Sequence, residues 1–395
     1  MTNEQIKALD KAHVMQTYGR YDVCIARGEG ARFYDFEGRE YIDFSSGIGV
    51  NSLGTANEAW LKAVTEQAGK LAHTSNLFYT EPGAQLAKVL TSRTGMKNVF
   101  FSNSGAESNE GMIKLARKYS YDRYGEGRST IVTLKNSFHG RTVTTLKATG
   151  QDVFHQYFFP FTEGFTYAEA NNFASVEAAV TDDVCAVMME LIQGEGGVKP
   201  LEQEFVQQVA ALCAERDVLL LIDEVQTGIG RTGTLFAFQQ YGISPDAVSF
   251  AKGIAGGLPM GGFLAGERTC GVLTAGTHAT TFGANPICCA AALSVLQQLT
   301  PELLQEVNEK GDYIRSTVLS WNNPHIRDAR GAGLMIGFGL NGLSNKAVAA
   351  ELISQGLLII TAGTDTLRAL PPLTITYDEI DAGLNILKKN LSEKE

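Results

Sequence analysis

Short runs of apolar and β-branched residues alternate with longer helical patterns through the middle of the chain, and this alternation limits the possible folds more than any other feature. Five runs have the length and composition of buried strands. These runs are Val99–Ser102, Ile131–Leu134, Ala186–Glu190, Val218–Ile222 and Ala247–Phe250. Helical periodicity fills the intervals, for example in Ala106–Tyr124 and Glu204–Arg216. Strand–helix–strand alternation predicts an α/β fold with a mostly parallel sheet wrapped by helices.

The C-terminal part of the chain has a different pattern. Three further runs are strand-like, namely Gly333–Leu340, Leu357–Thr361 and Arg368–Leu370. A helical segment follows, and its start carries a capping box formed by Thr376 and Glu379. This pattern is typical of a smaller α+β unit.

Length and composition bound the domain organisation and the class of protein. A chain of 395 residues exceeds what one hydrophobic core usually organises. We expect an N-terminal segment of residues 1–48 that packs with the small domain, a large α/β domain of residues 49–290 and a small α+β domain of residues 291–395. Hydrophobic residues make up 44% of the chain, which is too much for a disordered protein. A net charge of −10 argues against a nucleic-acid-binding surface.

Several other classes of protein are disfavoured. The first ten residues are polar and do not resemble a secretory signal. The longest apolar run, Ile287–Leu293, is far shorter than the roughly 20 residues of a membrane span. The six cysteines form no CxxC pair, and the six histidines show no metal-ligand spacing. We therefore expect a soluble, cytoplasmic protein without a metal site.

Polar clusters follow the predicted strands, where ligands bind in open α/β sheets. The first cluster contains Ser104, Gly105 and Ala106 at the start of a helix. Its small residues and free N–H groups favour a phosphate, although a simple helix cap would have the same sequence. The second cluster contains Phe138 and Arg141. This pair suits stacking on a flat ring and binding of a carboxylate, with a solvated loop as the alternative.

Three further positions carry chemical signals. Glu195 lies among three glycines in Gln193–Gly197, which indicates either a close approach of the backbone to another group or a plain turn. Asp223 directly follows apolar strand residues, so it either caps a turn or faces a cation such as a protonated pyridine nitrogen. Lys252 is flanked by small residues. It can be a desolvated lysine able to form a Schiff base, or an ordinary surface lysine.

The order of these clusters favours pyridoxal 5'-phosphate as the cofactor. This cofactor needs a phosphate cup, a stacking ring, a carboxylate at the pyridine nitrogen and a lysine, and the chain offers them after successive strands. A nicotinamide dehydrogenase is the alternative, because Gly228, Gly230 and Gly233 match a dinucleotide fingerprint. The match is poor, since Asp223–Gln226 separates the glycines from the strand and position 248 is a valine rather than an acid.

The chain resembles the class III, ornithine-type aminotransferases from about Tyr18 to its C-terminus. The segments that carry the resemblance are Asn103–Glu110, Phe138–Thr142, Gln193–Gly197, Leu221–Gly228 and Ala251–Lys252. The resemblance implies the fold type I architecture and a homodimer with active sites at the subunit interface.

The resemblance also implies roles for individual residues. Lys252 bonds to the cofactor and moves a proton, while Asp223 keeps the pyridine nitrogen protonated. Gln226 binds the phenolic oxygen and Phe138 stacks on the ring. The phosphate is bound by Ser104, Gly105 and Ala106, joined by the partner's Thr281.

The expected substrates follow from a few residues. Arg141 and Arg368 resemble the two carboxylate-binding arginines of the family, Glu195 covers Arg368 when it is not needed, and Tyr18 closes the pocket. Ile48 stands where ornithine-specific members have tyrosine. The expected reaction moves the terminal amino group of N-acetylornithine to 2-oxoglutarate, giving N-acetylglutamate 5-semialdehyde and glutamate in arginine biosynthesis. Succinylornithine, ornithine and 4-aminobutyrate are alternative donors, and a non-catalytic protein with the same fold is a remote alternative.

Overall fold

The computed structural model describes residues 1–394, and its helices alternate with strands along most of the chain. The helices are α1 Asn3–His13, α2 Ser46–Gly49, α3 Glu58–Lys70, α4 Glu81–Thr94, α5 Gly105–Tyr124, α6 Val143–Ala148, α7 Phe173–Ala179, α8 Gln203–Glu215, α9 Phe238–Tyr241, α10 Pro286–Gln298, α11 Pro301–Ser320, α12 Asn345–Ser354 and α13 Tyr377–Ser392. Short 3₁₀ helices cover Asp152–Phe154 and Lys252–Ala255.

The strands belong to four sheets. They are β1 Ile25–Glu29, β2 Arg32–Asp35, β3 Glu40–Asp43, β4 Asn98–Ser102, β5 Thr130–Leu134, β6 Phe165–Ala168, β7 Val184–Met189, β8 Ile192–Gln193, β9 Lys199–Pro200, β10 Leu219–Asp223, β11 Ala247–Phe250, β12 Gly261–Ala265, β13 Ile326–Ala332, β14 Met335–Leu340, β15 Leu357–Leu358, β16 Ile360–Ala362 and β17 Thr366–Ala369.

The central seven-stranded sheet positions the site. Its strand order is β4-β12-β11-β10-β7-β5-β6, and the pairs from β11 through β6 are parallel. Strand β12 runs antiparallel to both of its neighbours. The sheet is therefore mostly parallel, which confirms the predicted fold class. Its parallel strands bring the loops after β5, β7, β10 and β11 to the same edge.

Helices cover both faces of this sheet, because its central strands are apolar on both sides. Every residue of β7, β10 and β11 is buried. Helix α5 packs on one face through residues such as Met112 and Leu115, while α8 presents Phe205, Val209 and Leu212 to the core on the other. Burial on two faces explains why these strands appear in the sequence as continuous apolar runs rather than as alternating patterns.

Two four-stranded sheets and the short pair β8-β9 lie outside the central sheet. The first has the order β13-β14-β17-β16, and it contains Arg368 in β17. The second has the order β1-β2-β3-β15, and its parallel pair joins Ile42 of β3 to Leu357 of β15. The beginning of the chain therefore shares a sheet with a strand from its C-terminal part.

The structure corrects several predicted boundaries. Glu190 lies just beyond β7, whereas Asp223 is the last residue of β10 rather than the residue after it. The run Gly333–Leu340 contains a turn followed by β14, because Gly333 has a positive φ of 50°. The run Leu357–Thr361 is divided between β15 and β16. The capping box of Thr376 and Glu379 at the start of α13 is confirmed.

Within residues 1–394, no single helix is long and apolar enough to cross a membrane. The pair α10 and α11 reaches the required length and hydropathy when taken together, but the two helices meet at a bend of 74°.

Candidate active site

A pocket of about 400 Å³ opens at the edge of the central sheet where the parallel strands end. Eight of the residues predicted from the sequence line it: Ser104, Gly105, Ala106, Phe138, Arg141, Asp223, Gln226 and Lys252. They come from four different loops or strand ends, which follow β4, β5, β10 and β11 and are separated by up to about 150 residues of sequence. A volume of this size is typical of pockets for small molecules and cofactors.

Asp223 is a buried carboxylate held on all sides. Its Oδ2 accepts hydrogen bonds from His139 Nδ1 at 2.8 Å and Asn109 Nδ2 at 2.7 Å. Its Oδ1 accepts bonds from the Val225 amide at 3.0 Å and the Ser249 hydroxyl at 3.3 Å. Burial alone raises the pKa of a carboxyl group, but the bond from His139 and its companions outweigh burial and lower the pKa of Asp223. The group is thus ready to face a cation in the pocket.

Lys252 follows β11 and begins a 3₁₀ turn with a left-handed backbone, at a φ of 45°. Desolvation by burial lowers the pKa of its amine, and the positive charge of Arg368 lowers it further. Within residues 1–394, the amine forms no hydrogen bond or ion pair. A lysine of this kind is a better nucleophile than a solvated one, because more of it is uncharged.

The N-terminus of α5 forms one wall of the pocket. Ser104 is the N-cap residue, and its Oγ accepts a hydrogen bond from the Glu107 amide at 3.2 Å. A side chain at Gly105 would come within 2.7 Å of Val225, so glycine allows the helix start to lie close to the loop after β10. The free N–H groups of this helix start and its dipole suit an anion such as a phosphate.

Arg141 lies next to two aromatic rings. Its guanidinium carbon is 4.3 Å from the ring centroid of Phe154 and 5.4 Å from that of Phe138. The two rings meet edge to face, with centroids 5.9 Å apart and an interplanar angle of 73°. No carboxylate within residues 1–394 pairs with Arg141, so its N–H groups can receive a carboxylate from outside.

Arg368 is buried and already paired. Its Nη1 lies 2.8 Å from Glu195 Oε1 and donates to Gln226 Oε1 at 3.1 Å. Its Nη2 donates to the Thr361 carbonyl at 3.3 Å. Gln226 therefore uses its oxygen for Arg368, and its amide nitrogen lies next to Gly194.

Two predicted site residues lie away from this pocket. Tyr18 is 72% exposed, and its ring contacts the guanidinium of Arg20 at 5.4 Å. Thr281 is exposed beside Phe282, itself 59% exposed. The single chain therefore does not bring either residue together with Asp223 and Lys252.

Sequence reasoning missed several residues that hold the site. Asn109 and His139 bind Asp223 across 114 and 84 residues of sequence. Glu190 is buried at the end of β7 and accepts hydrogen bonds from the amides of Phe138 at 2.9 Å and Gly194 at 3.2 Å. Burial raises the pKa of this carboxyl to about 7. His139 and Asn109 stood inside the recognised segments, but nothing in their spacing showed which group they would contact.

The residues present fit pyridoxal phosphate. The buried carboxylate, the helix N-terminus and the lysine belong to one pocket of suitable size. The arrangement thus defines a pyridoxal-phosphate-dependent enzyme of fold type I.

Comparison with known proteins identifies the family. A sequence profile of the class-III aminotransferases matches residues 14–391. The acetylornithine aminotransferase of Haemophilus ducreyi is 52% identical over 395 residues, covering all of both chains. The crystal structure of N-acetylornithine aminotransferase from Stenotrophomonas maltophilia has a TM-score of 0.84 at 36% identity and covers 98% of each chain. The ornithine aminotransferase of Toxoplasma gondii has a TM-score of 0.94 at 30% identity, covering 100% of this chain and 96% of that one.

The chain belongs to the class-III aminotransferase family, and it is a pyridoxal-phosphate-dependent aminotransferase. The family resemblance found in the sequence is confirmed. The alternative of a nicotinamide dehydrogenase was wrong. Of the three glycines that suggested it, Gly230 packs beneath Leu299, Leu304 and Leu373, while Gly233 approaches Asn308 of α11.

Proposed function

We propose that this enzyme moves the terminal amino group of N-acetylornithine to 2-oxoglutarate, giving N-acetylglutamate 5-semialdehyde and glutamate for arginine biosynthesis in the cytoplasm. The observation that carries the proposal is the pairing state of the two arginines: Arg141 is free, and Arg368 is covered by Glu195. Such a site can bind a substrate with one carboxylate through Arg141 alone, or a substrate with two carboxylates through both arginines. The names of its relatives, at 52% and 44% identity, support the acetylated donor.

Pyridoxal phosphate, when bound, supplies an aldehyde that bonds to amines and a ring that withdraws electrons from the adjacent carbon. Lys252 would hold the cofactor, and its amine would carry the proton that leaves the reacting carbon. Asp223 would keep the pyridine nitrogen protonated, because its lowered pKa leaves it negatively charged at neutral pH. The free amide nitrogen of Gln226 would donate to the phenolic oxygen, and Phe138 would stack on the ring.

Under this proposal, the phosphate site is formed by residues of both subunits of a homodimer. Ser104, Gly105 and Ala106 would bind the phosphate with the helix start. A second chain would add the partner's Thr281, because Thr281 of the same chain lies outside the pocket. The loop before α4 supports a subunit interface, since Leu77, Phe78 and Tyr79 are 88%, 67% and 107% exposed.

The two substrates would use the arginines differently. N-acetylornithine carries one carboxylate for Arg141, on the same carbon as its acetamido group. Its other end, the reacting aminomethylene group, has no carboxylate and would meet the closed Arg368–Glu195 pair. 2-Oxoglutarate carries two carboxylates, so the second would take Arg368 while Glu195 moves away. Ile48, which is 43% exposed, would offer an apolar contact to the acyl end, and Tyr18 would close the pocket.

A panel of amino donors tests the proposal. The holoenzyme is given N-acetylornithine, N-succinylornithine, ornithine or 4-aminobutyrate with 2-oxoglutarate, and glutamate formation is followed. We expect N-acetylornithine to have the highest kcat/KM. Equal or faster turnover of ornithine would contradict the substrate assignment while leaving the aminotransferase class intact. Loss of the visible absorption band and of turnover in Lys252→Ala would support the role of the lysine, and Lys114→Ala on the surface of α5 serves as its control.

A further inference from the structure

Arg141, like Lys252, lines the pocket without a hydrogen bond or ion pair within residues 1–394. A free arginine loses side-chain entropy when it binds a carboxylate, and that loss weakens binding. Stacking against aromatic rings can hold a guanidinium without using its N–H groups. The two rings beside Arg141 are therefore the groups that can orient it.

Phe138 cannot orient Arg141 alone. Its ring is the more distant of the two, at 5.4 Å against 4.3 Å for Phe154. Under the proposed function, one face of Phe138 is also occupied by the cofactor. Phe154 has no such second task, and its ring stands at 73° to that of Phe138. The two rings form a corner that contains the guanidinium.

The segment that carries Phe154 is fixed to the site rather than loose. Gln151 Nε2 donates to the Ser137 carbonyl at 2.9 Å, and the Gly150 amide donates to Ser137 Oγ at 3.0 Å. A side chain at Gly150 would collide with the Leu134 carbonyl, so only glycine allows this close approach. After Phe154 in the sequence, His155 Nε2 contacts the Leu146 carbonyl at 3.0 Å. These bonds tie the 3₁₀ turn to the end of β5 and to α6.

We propose that Phe154 is the positioning residue for Arg141, holding its guanidinium flat so that the N–H edge faces the α-carboxylate of the amino donor. This inference rests on the proposed function of Arg141 as a carboxylate-binding residue. It adds a residue outside the cofactor-binding set to the determinants of substrate choice. It also predicts that the contribution of Phe154 depends on whether the substrate carries that carboxylate.

The test compares two amines that differ only in this group: N-acetylornithine and its decarboxylated analogue, 4-acetamidobutylamine. In the holoenzyme, Phe154→Leu should lower kcat/KM for N-acetylornithine about 5- to 20-fold, mainly through KM. The kcat/KM for the analogue should change less than about twofold, because the analogue has no carboxylate to bind Arg141. Phe154→Tyr should restore most of the loss, because it keeps the aromatic face.

A matched control removes the same kind of contact elsewhere. Arg117 lies 5.3 Å from the ring of Phe165 on β6, outside the pocket. The Phe165→Leu variant should therefore have an unchanged kcat/KM for both N-acetylornithine and its decarboxylated analogue. Thermal unfolding of each variant verifies that the fold is retained.

Binding without turnover separates this inference from the proposed function. Glutarate, a dicarboxylate that cannot be transaminated, is titrated calorimetrically into the wild-type holoenzyme and each variant. We expect its Kd to rise about 5- to 20-fold in Phe154→Leu. Equal losses for both amines, or an unchanged glutarate Kd, would overturn the positioning role. If the wild type binds glutarate but does not turn over N-acetylornithine, the proposed donor is wrong, and the glutarate series alone decides on Phe154.

Discussion

At the scale of single residues, the lysine that lines the pocket, Lys252, occupies a backbone conformation that lysine seldom adopts. The φ of Lys252 is 45°, in the left-handed region where a Cβ atom is unfavourable by about 1–2 kcal/mol. Ile48 and Ser46, in the short helix α2, share this property with φ values of 65° and 46°. Strain of this kind persists only where the surrounding structure enforces it.

Substitution of the lysine should separate chemistry from strain. Lys252→Ala and Lys252→Gly should both lose transamination, but the glycine variant should be the more stable by about 0.5–1 kcal/mol, because glycine accepts a positive φ. Chemical denaturation of the cofactor-free proteins measures the difference. At Lys135, which has an ordinary φ, alanine should be the more stable choice. The same order at both positions would contradict the strain argument.

The Glu195–Arg368 pair should determine how the enzyme treats its second substrate. In Glu195→Gln, 2-oxoglutarate no longer has to displace a carboxylate, so its KM should fall several-fold. The KM of N-acetylornithine should rise, because its reacting end, which carries no carboxylate, then meets an uncompensated guanidinium. Two-substrate initial rates measure both constants. Glu177→Gln, at an exposed residue of α7, is the control and should leave both KM values unchanged. If both KM values changed in the same direction in Glu195→Gln, Glu195 would not alternate between covering Arg368 and releasing it.

Buried carboxylates predict the pH dependence of stability. Glu224 accepts hydrogen bonds from the Ala237 and Phe238 amides at 2.8 and 2.7 Å, and burial raises its pKa to about 7. The folded state therefore binds a proton that the unfolded state has lost between its ordinary value of 4.5 and about 7, so this group makes the protein less stable as pH rises through that range.

The corresponding experiment compares wild type with Glu224→Gln in urea at pH 5 and pH 8. The stability of the wild type relative to the variant should decline with rising pH, by at most about 1.4 kcal/mol per pH unit. The exposed Glu126→Gln should follow the wild type throughout. A difference that is constant with pH would show that Glu224 has an ordinary pKa in the folded protein.

Residue types were the most predictable part of the site. Asp223 and Lys252 could be singled out from sequence because a charge directly at the end of an apolar strand needs a physical reason. Their partners could not be found in the same way. His139 and Asn109 reach Asp223 from distant parts of the chain, and only the folded sheet brings them together. Phe154 followed the recognised segments by too many residues to be associated with Arg141.

At the scale of helices and strands, two glycines in comparable helices have opposite expected effects. A Cβ at Gly311 in α11 would collide with the Gly333 carbonyl, whereas Gly69 in α3 has open space around it. Gly311→Ala should therefore destabilise the protein by about 1–3 kcal/mol through overpacking. Gly69→Ala should stabilise it by up to about 1 kcal/mol through helix propensity. Urea denaturation tests both, and equal effects would contradict the packing.

The elements themselves were predicted with mixed success. All five predicted strands exist, because their apolar runs are continuous. The prediction that the first of them is buried was wrong, since only Ser102 of β4 is buried. Strand β12 was missed, since Gly261 and Gly262 give it little β-propensity. Its glycines are needed there, because a side chain at Gly262 would collide with Phe100. At this strand, the local composition therefore disfavours β structure, while the tertiary packing requires glycine.

At the scale of the whole molecule, we propose that the chain divides into three parts, residues 1–48, 49–290 and 291–395. The final residue of the third part, Glu395, lies outside the described residues. The pairing of β3 with β15 supports the association of the first part with the third. The exposed apolar loop before α4 supports the proposal that two chains form a homodimer.

A charge in that loop should dissociate the proposed homodimer. Phe78→Asp places a carboxylate in the proposed interface, so we expect a shift towards monomer together with weaker cofactor binding, because the partner's Thr281 is lost. Sedimentation velocity and cofactor titration measure the two effects. Tyr121→Asp, at a residue that is 59% exposed on α5, should change neither. A Phe78→Asp variant that stays dimeric would place the interface elsewhere.

The left-handed turn at Lys252 also affects how such a sequence can change over generations. Selection for a durable fold alone would replace this lysine with glycine, and only continued selection for transamination retains it. A duplicated copy freed from that demand should lose Lys252 early and gain stability by doing so. Glycine at this position in an otherwise similar chain would therefore mark a descendant that has abandoned catalysis while keeping its architecture.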